Sequence, residues 1–299
     1  MSGFSAAWLH LREPFDHAAR ETIAAALDLP GRLARWRKRS PGEPLAVIDL
    51  ACGHGANLRA LAPSLGGAQH WRLVDHDSTL LAAVPEALAE WARGREYRFM
   101  LEGGAGDEET IDVTGPDFHA RVVCQHLDLA RDLASLDFGE TPLVTASALL
   151  DLVSAPWLQA LIHKARAARA ALLFGLTIDG RTAWNPADPG DERVHGLFSQ
   201  HQCRDKGFGP ALGSQAAAIA VQQLVCAGYA TLQTQTDWVI DGALAPEMQR
   251  AMVDGIAAAA LEQDPAAQDA VRCWRARRGA GIGSSRLRVG HVDILATPA

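Results

Sequence analysis

Two acids close two short apolar runs, and a turn of small residues lies between them. In VIDLACGHGANLRAL, residues 47–61, the run ends at Asp49 and Leu50, and Ala51, Gly53 and Gly55 follow before a helical pattern begins near Asn57. Glycines in such a turn let the backbone approach a ligand closely, and the helix that follows turns N–H groups toward it. Twenty residues after Gly55 a second apolar run ends at Asp75, where a carboxylate can accept hydrogen bonds from ribose hydroxyls. The two features together describe an adenosine-like ligand lying across the carboxyl ends of two adjacent strands.

The charge at Asp49 chooses among such ligands. A dinucleotide sets its diphosphate in the first turn and favours the pattern GxGxxG, whereas the corresponding positions here read Ala51, Gly53 and Ala56. A carboxylate two residues before the turn repels a diphosphate and attracts an ammonium or a sulfonium. At about 5 Å and an effective dielectric near 20, one such pair is worth roughly 3 kcal/mol. The choice falls on S-adenosylmethionine over a nicotinamide dinucleotide.

The same segment resembles motif I of the class I S-adenosylmethionine-dependent methyltransferases, an acid followed by x-G-x-G-x-G, with Ala51 in place of the first glycine. The resemblance covers roughly residues 45–178. It implies that the turn around Ala51, Cys52, Gly53 and Gly55, with Asn57 after it, holds the methionine part, and that Asp49 stands near its amino group. It also implies that Asp75, with His76 beside it, meets the ribose. Asp128, followed by Leu129, would meet the adenine amino group, and residues 145–147, ending in Ser147, would line the channel of transfer. An N-terminal helix would close over the site, so that Arg20 meets the methionine carboxylate.

A second polar cluster lies in HGLFSQHQCRDKGFGPALG, residues 195–213, where His201, Gln202, Arg204, Asp205 and Lys206 fall within six positions. A loop dense in different polar groups reads as a recognition surface. There His201 is the first candidate for a proton acceptor and Asp151, in ALLDL, the second. Arg204 and Lys206 are candidates for gripping an anionic substrate group, with Gln202 and Asp205 beside them and Trp184 as a wall. Methyl transfer from a sulfonium is an in-line displacement, so such residues mainly align the partners and exclude water. The segment TASALLDLVS lacks the Asn/Asp-Pro-Pro-aromatic element of enzymes that methylate nucleobase amino groups, and no cysteine follows a proline there. These absences, with a net charge of −7, point to a small molecule and away from nucleic acid.

Elements able to position these residues recur along the chain of 299 residues. Residues 6–29 read as an amphipathic helix broken near Pro14, followed by a basic stretch at 32–39 and a turn through Pro44. Strands are expected at 45–50, 71–74, 121–127, 142–146, 171–178, 230–240 and 287–296, with helices between them. Residues 103–116 read as an acidic, glycine-rich loop, and 179–213 as a long irregular insertion. The expectation is an α/β, Rossmann-like, mostly parallel seven-stranded sheet with helices on both faces, spanning 44–299, with the substrate insertion around 179–213 and a helical lid and linker at 1–43.

The five cysteines are scattered without metal or redox spacing, so no metal site is expected. With neither a signal peptide nor a run of about 18 apolar residues, the expected place is the cytoplasm. A homodimer is compatible with all of this. Two competitors stay open: a nicotinamide-dependent reductase, and a non-catalytic protein that binds S-adenosylmethionine.

Overall fold

The computed structural model describes residues 6–21, 23–29, 31–32, 35, 42–103 and 109–298. Most of the basic stretch at 32–39 and the middle of the acidic loop at 103–116 lie outside them. In chain order the elements are α1 (Ala6–Arg20), α2 (Ile23–Ala26), β1 (Leu45–Leu50), α3 (Ala56–Leu65), β2 (Gly67–Asp75), α4 (Ser78–Ala82) and α5 (Val84–Gly94). Then come β3 (Arg98–Glu102), β4 (Thr110–Thr114), β5 (Phe118–His126), α6 (Leu129–Asp132), β6 (Leu143–Ser147), α7 (Ala155–Ala167) and β7 (Ala171–Asn185). The chain continues through α8 (Asp191–Gln202), α9 (Ala216–Cys226), β8 (Tyr229–Gln235), β9 (Trp238–Asp241), α10 (Pro246–Gln263), α11 (Gln268–Ala280) and β10 (Arg286–Pro298).

The strands form one sheet in the order β3-β4-β5-β2-β1-β6-β7-β10-β8, with β9 paired to β10. The run β5-β2-β1-β6-β7 is parallel, and β10 returns antiparallel between β7 and β8. The central strands β1 (LAVIDL) and β6 (LVTAS) are buried almost throughout because both faces of the sheet are covered there. Chain order reverses at β1, which has β2 on one side and β6 on the other. That switch point opens a crevice at the carboxyl edge, where sheets of this kind bind ligands.

Among the described residues the sheet has ten strands rather than the expected seven. One extra pair is the β3–β4 hairpin, formed where a loop was expected around 103–116. There β4 (TIDVT) pairs with β5 and buries Ile111 and Val113, an alternation hidden among acids. The third comes from the expected strand at 230–240, which breaks at Thr236 and Asp237 into β8 and β9.

The expected irregular stretch at 179–213 is also corrected. β7 runs on for ten residues beyond Gly175, to Asn185, and α8 occupies Asp191–Gln202. At roughly 3.3 Å per residue, this strand reaches about 30 Å past the edge at which its parallel neighbours stop. The first half of β10 and all of β9 pair along that arm and stiffen it. One face of the arm carries an ionic ladder in which Arg181 bridges Asp179 and Asp237, and Arg286 meets Asp241 at 2.7 Å. Its other face is apolar and packs Trp184, Ile240 and Leu287 with Val194 of α8, Met248 of α10 and Trp274 of α11.

Helix α1 closes the edge from above, and it does not break at Pro14. Proline removes one N–H bond, but anchors on both sides hold the helix together. Glu13 pairs with Arg59 of α3 at 2.6 Å, and Asp16 accepts from Trp238 Nε1 of β9 at 3.0 Å and pairs with Arg12 at 2.9 Å. Burial alone raises the Glu13 carboxyl, but His17 and Arg59 bring it down to about 2. The deepest anchor is Arg20. Its Nε donates to Asp293 Oδ2 of β10 at 3.1 Å and its Nη1 to Asn57 Oδ1 of α3 at 2.7 Å. Asp293 is fully buried, and its Oδ1 also accepts from Leu176 N–H at 2.8 Å and Thr236 Oγ1 at 2.7 Å.

Breaking a buried pair leaves an uncompensated charge, so Asp293→Ala is expected to cost about 3–5 kcal/mol in urea unfolding. A loss below about 1 kcal/mol, the size of an exposed pair, would show that the anchor is dispensable.

Candidate active site

β1, β2, β6 and β7 bring their ends to one edge, and three non-glycine residues there take the left-handed conformation: Ala51 (φ 52°), Ala148 (φ 52°) and Leu176 (φ 52°). Such backbone is uncommon outside glycine and gathers where surrounding structure over-determines it. At the first turn, Gly53 and Gly55 have φ of 56° and 83°, and Leu9 of α1 lies 3.6 Å from where a Gly53 side chain would begin. Helix α1 therefore lies directly over the glycine turn.

Asp49 is fully buried and accepts from Asn57 Nδ2 at 2.7 Å. Asn57 also donates to Thr145 Oγ1 at 3.1 Å, and Thr145 in turn donates to Leu173 O at 2.8 Å. Burial drives the Asp49 carboxyl up to about 7, against the Asn57 bond and the Arg20 charge, with Asp75 adding repulsion. Two buried atoms of opposite charge remain without a partner among the described residues, Asp49 Oδ2 and Arg20 Nη2. Arg20 Nη2 also stands 2.8 Å from where a side chain at Gly175 would begin, so only glycine fits there.

Asp75 holds the turn through both oxygens, accepting from Gly53 N–H at 2.8 Å and Asp77 N–H at 3.0 Å. A carboxylate offers about four lone-pair sites, so capacity for two hydroxyls is left. His76 beside it is exposed, with Nδ1 at 3.3 Å from Asp75 Oδ1. Cys52 is buried, and burial lifts its thiol well above the usual range. The N–H groups of Cys52, Gly53 and Gly55 go to Val74 O, the Asp75 carboxylate and Cys52 O.

The other expected residues divide. Ser147 ends β6 in register with Gly175, on the same edge. Asp151 follows, and its Oδ1 is buried without a partner. Burial raises its carboxyl to about 6, while its own backbone N–H and Arg12 oppose the rise. Asp128 caps α6 by accepting from Ala130 N–H at 3.0 Å, the ordinary work of an aspartate before a helix. Leu129 is buried, and its carbonyl accepts from Trp157 Nε1.

The polar cluster after β7 is engaged mostly within the protein. His201 Nε2 lies 3.2 Å from Glu262 Oε2 on the last turn of α10. All three Arg204 nitrogens are engaged with Glu262 and Gln263, because the cluster joins α8 to α10 and does not face the sheet edge. Lys206 adds its charge to the same Glu262. Asp205 folds its own loop by accepting from Gly207 and Gly209 N–H. Trp184 is core: its ring lies 4.4 Å from Arg278 and its Nε1 donates to His195. Gln202 lines a cavity between α8 and the arm. Asp293 and Trp238 were missed by sequence reasoning. The signal was an acid at an inward position of the apolar run HVDILAT.

Among the described residues no His, Cys, Asp and Glu group of three or more could hold a metal ion, and no helix is long and apolar enough to cross a membrane. No family model and no curated protein sequence matches the chain. Its fold is similar to that of a cyclopropane-fatty-acyl-phospholipid synthase-like protein from Lactobacillus casei, with TM-score 0.53 and 15% identity over 98% of this chain and 94% of that one. A weaker likeness, TM-score 0.41 and 15% identity over 90% and 91%, is to a SAM-dependent methyltransferase from Geobacter sulfurreducens in complex with S-adenosyl-L-homocysteine. The fold shared with the first of these is a Rossmann-like α/β sheet.

The raised Asp49 carboxyl has a consequence for stability. An acid with a folded pKa of about 7 stabilises the fold below its unfolded value near 4, and that stability is lost as pH rises through about 7. Asp49→Asn should therefore gain stability relative to wild type between pH 5 and pH 8, by roughly 2–3 kcal/mol. Urea unfolding at the two pH values checks this. A gap that stays constant or shrinks would contradict it.

Proposed function

We propose that this chain transfers a methyl group from S-adenosylmethionine to a small molecule, and that the glycine turn under α1 holds the methyl donor. The observation that carries the reading is the pair of unpartnered buried atoms, Asp49 Oδ2 and Arg20 Nη2. The methionine end of the donor carries an ammonium and a carboxylate, which supply the missing partner for each. Asp75 has lone pairs left for the ribose hydroxyls. The buried Asp49 carboxyl beside the turn disfavours a diphosphate and hence a reductase.

When bound, the donor supplies an electrophilic methyl group on a sulfonium. The chain's part is then to bind, orient and dehydrate. Asp49 and Arg20 fix one end of the donor, Asp75 fixes the middle, and α1 excludes water from above. If the accepting atom carries a proton, Asp151 is better placed than His201 to take it. Asp151 Oδ1 is unpartnered beside the sheet edge, and with a carboxyl near 6 the side chain is ionised at neutral pH. The engagement of Arg204 with Glu262 and Gln263 removes the argument for an anionic substrate.

Incubating the protein with methyl-labelled S-adenosylmethionine and a fractionated metabolite extract tests the reading. Label should enter one or a few small molecules. Asp75→Ala should weaken donor binding by about tenfold or more, the value of one charged hydrogen bond. Asp151→Asn should lower turnover by roughly 10²–10⁴-fold with donor affinity unchanged. Donor binding without any transfer would identify a non-catalytic binding protein, and absence of donor binding would overturn the reading altogether.

A further inference from the structure

A cavity of about 240 Å³ lies between α8 and the apolar face of the β7–β10 arm, outside the glycine turn. Its floor includes Ile178, Thr182 and Val289, and Phe198 adds an aromatic wall. From α8 come Glu192, His195, Ser199 and Gln202, spaced three, four and three residues apart and so sharing one helix face. A helix packed on a sheet normally turns an apolar stripe inward. Beside the apolar Val194, Leu197 and Phe198 that α8 packs against the core, this face is polar, and Ser199, Gln202 and Thr182 carry no side-chain hydrogen bond among the described residues. Their groups remain available to something that enters the cavity.

The charge around the cavity defines what that is. Arg181 is neutralised by Asp179 and Asp237, and Asp191 by Arg278. His195 Nε2 accepts from Trp184 Nε1 at 3.1 Å, and since an indole only donates, that nitrogen carries no proton. Burial and the Arg278 charge lower the His195 pKa, with Asp191 opposing, so the ring is neutral and its proton sits on Nδ1. Glu192 stands exposed in the first turn of α8, where solvent screens it. The interior is thus uncharged, has hydroxyl, amide and imidazole groups along one side, and is apolar on the other. A charged ligand would lose its hydration there without a counter-ion.

The cavity also points to the edge. Ile178 lies three residues past Gly175, about 10 Å along the strand. At the Gln202 end, Gly213 lies against Gln202 and donates its N–H to Asp151 O at 3.0 Å. The polar stripe, ten residues long or about 15 Å, therefore runs away from the Asp151 turn.

We propose that this cavity is a binding site for an uncharged, hydroxyl-bearing ring compound. As the substrate subsite of the methyl-transfer reading it rests on that reading, while its ligand chemistry stands independently. The volume is below the roughly 300–1,000 Å³ of drug-sized pockets, which suits a single ring.

The test uses the full chain and three matched probes, phenol, benzoate and benzylamine, with affinities read by ligand-observed NMR at pH 7. Phenol should bind at least about tenfold more tightly than either charged probe. Gln202→Leu should weaken phenol by about fivefold or more, because it leaves the hydroxyl unpaired. Ser199→Ala is a milder second variant should Gln202→Leu fold poorly, and is expected to act in the same direction. Equal or tighter binding of benzoate or benzylamine, no phenol binding, or phenol affinity indifferent to both α8 variants would overturn the proposal. Calorimetric binding of S-adenosylhomocysteine to the same samples decides the methyl-transfer reading separately, and the α8 variants should not disturb it.

Discussion

One buried guanidinium ties the molecule together. Arg20 ends the first helix, yet its partners come from the last strand, at Asp293, and from the helix after the first glycine turn, at Asn57. Asp293 passes the constraint on, holding the bulged backbone of Leu176 and the corner at Thr236 where β8 ends. Asn57 passes it the other way, to Asp49 and Thr145. Remove this node and α1, the arm of β7 and the glycine turn lose their common reference. Burying so many polar groups is costly, and such a network specifies a single arrangement only when its members are satisfied. Two atoms in this one are not, and both lie where the proposed donor would sit.

That incompleteness links stability to function. The same burial that lifts the Asp49 carboxyl to about 7 makes the site receptive to a cation, because an ammonium would ionise the acid and be held by it. The arm of β7 serves a different need. By running past the edge it gives α8, α10 and α11 an apolar face to pack on. The cavity then lies over the edge on rigid elements instead of in a loop.

Much of the frame was legible in the sequence because its signals were local. An apolar run ending in an acid, followed by small residues and a helix, describes β1, its turn and α3 with little room for another reading. Asp75 was legible for the same reason. The structure departs from the sequence reading where the deciding interactions are distant. β4 hides its alternation among acids, and α8 reads as loop because its few apolar residues, Val194, Leu197 and Phe198, are set among polar ones. His201 and Arg204 looked like recognition residues because their partners, Glu262 and Gln263, stand about sixty positions away. Arg20 was legible as a cation on a helix, but its role as an anchor depends on Asp293, at the opposite end of the chain.

The account's central claim is that Asp49 is partly protonated in the free protein and ionises when the donor's ammonium binds beside it. Titration calorimetry with S-adenosylhomocysteine at pH 7, repeated in buffers of different ionisation enthalpy, counts the protons exchanged. The claim predicts release of about half a proton per ligand bound, falling toward zero by pH 9 and absent in Asp49→Asn. Tight binding with no proton release near pH 7, or release that persists in Asp49→Asn, would contradict it.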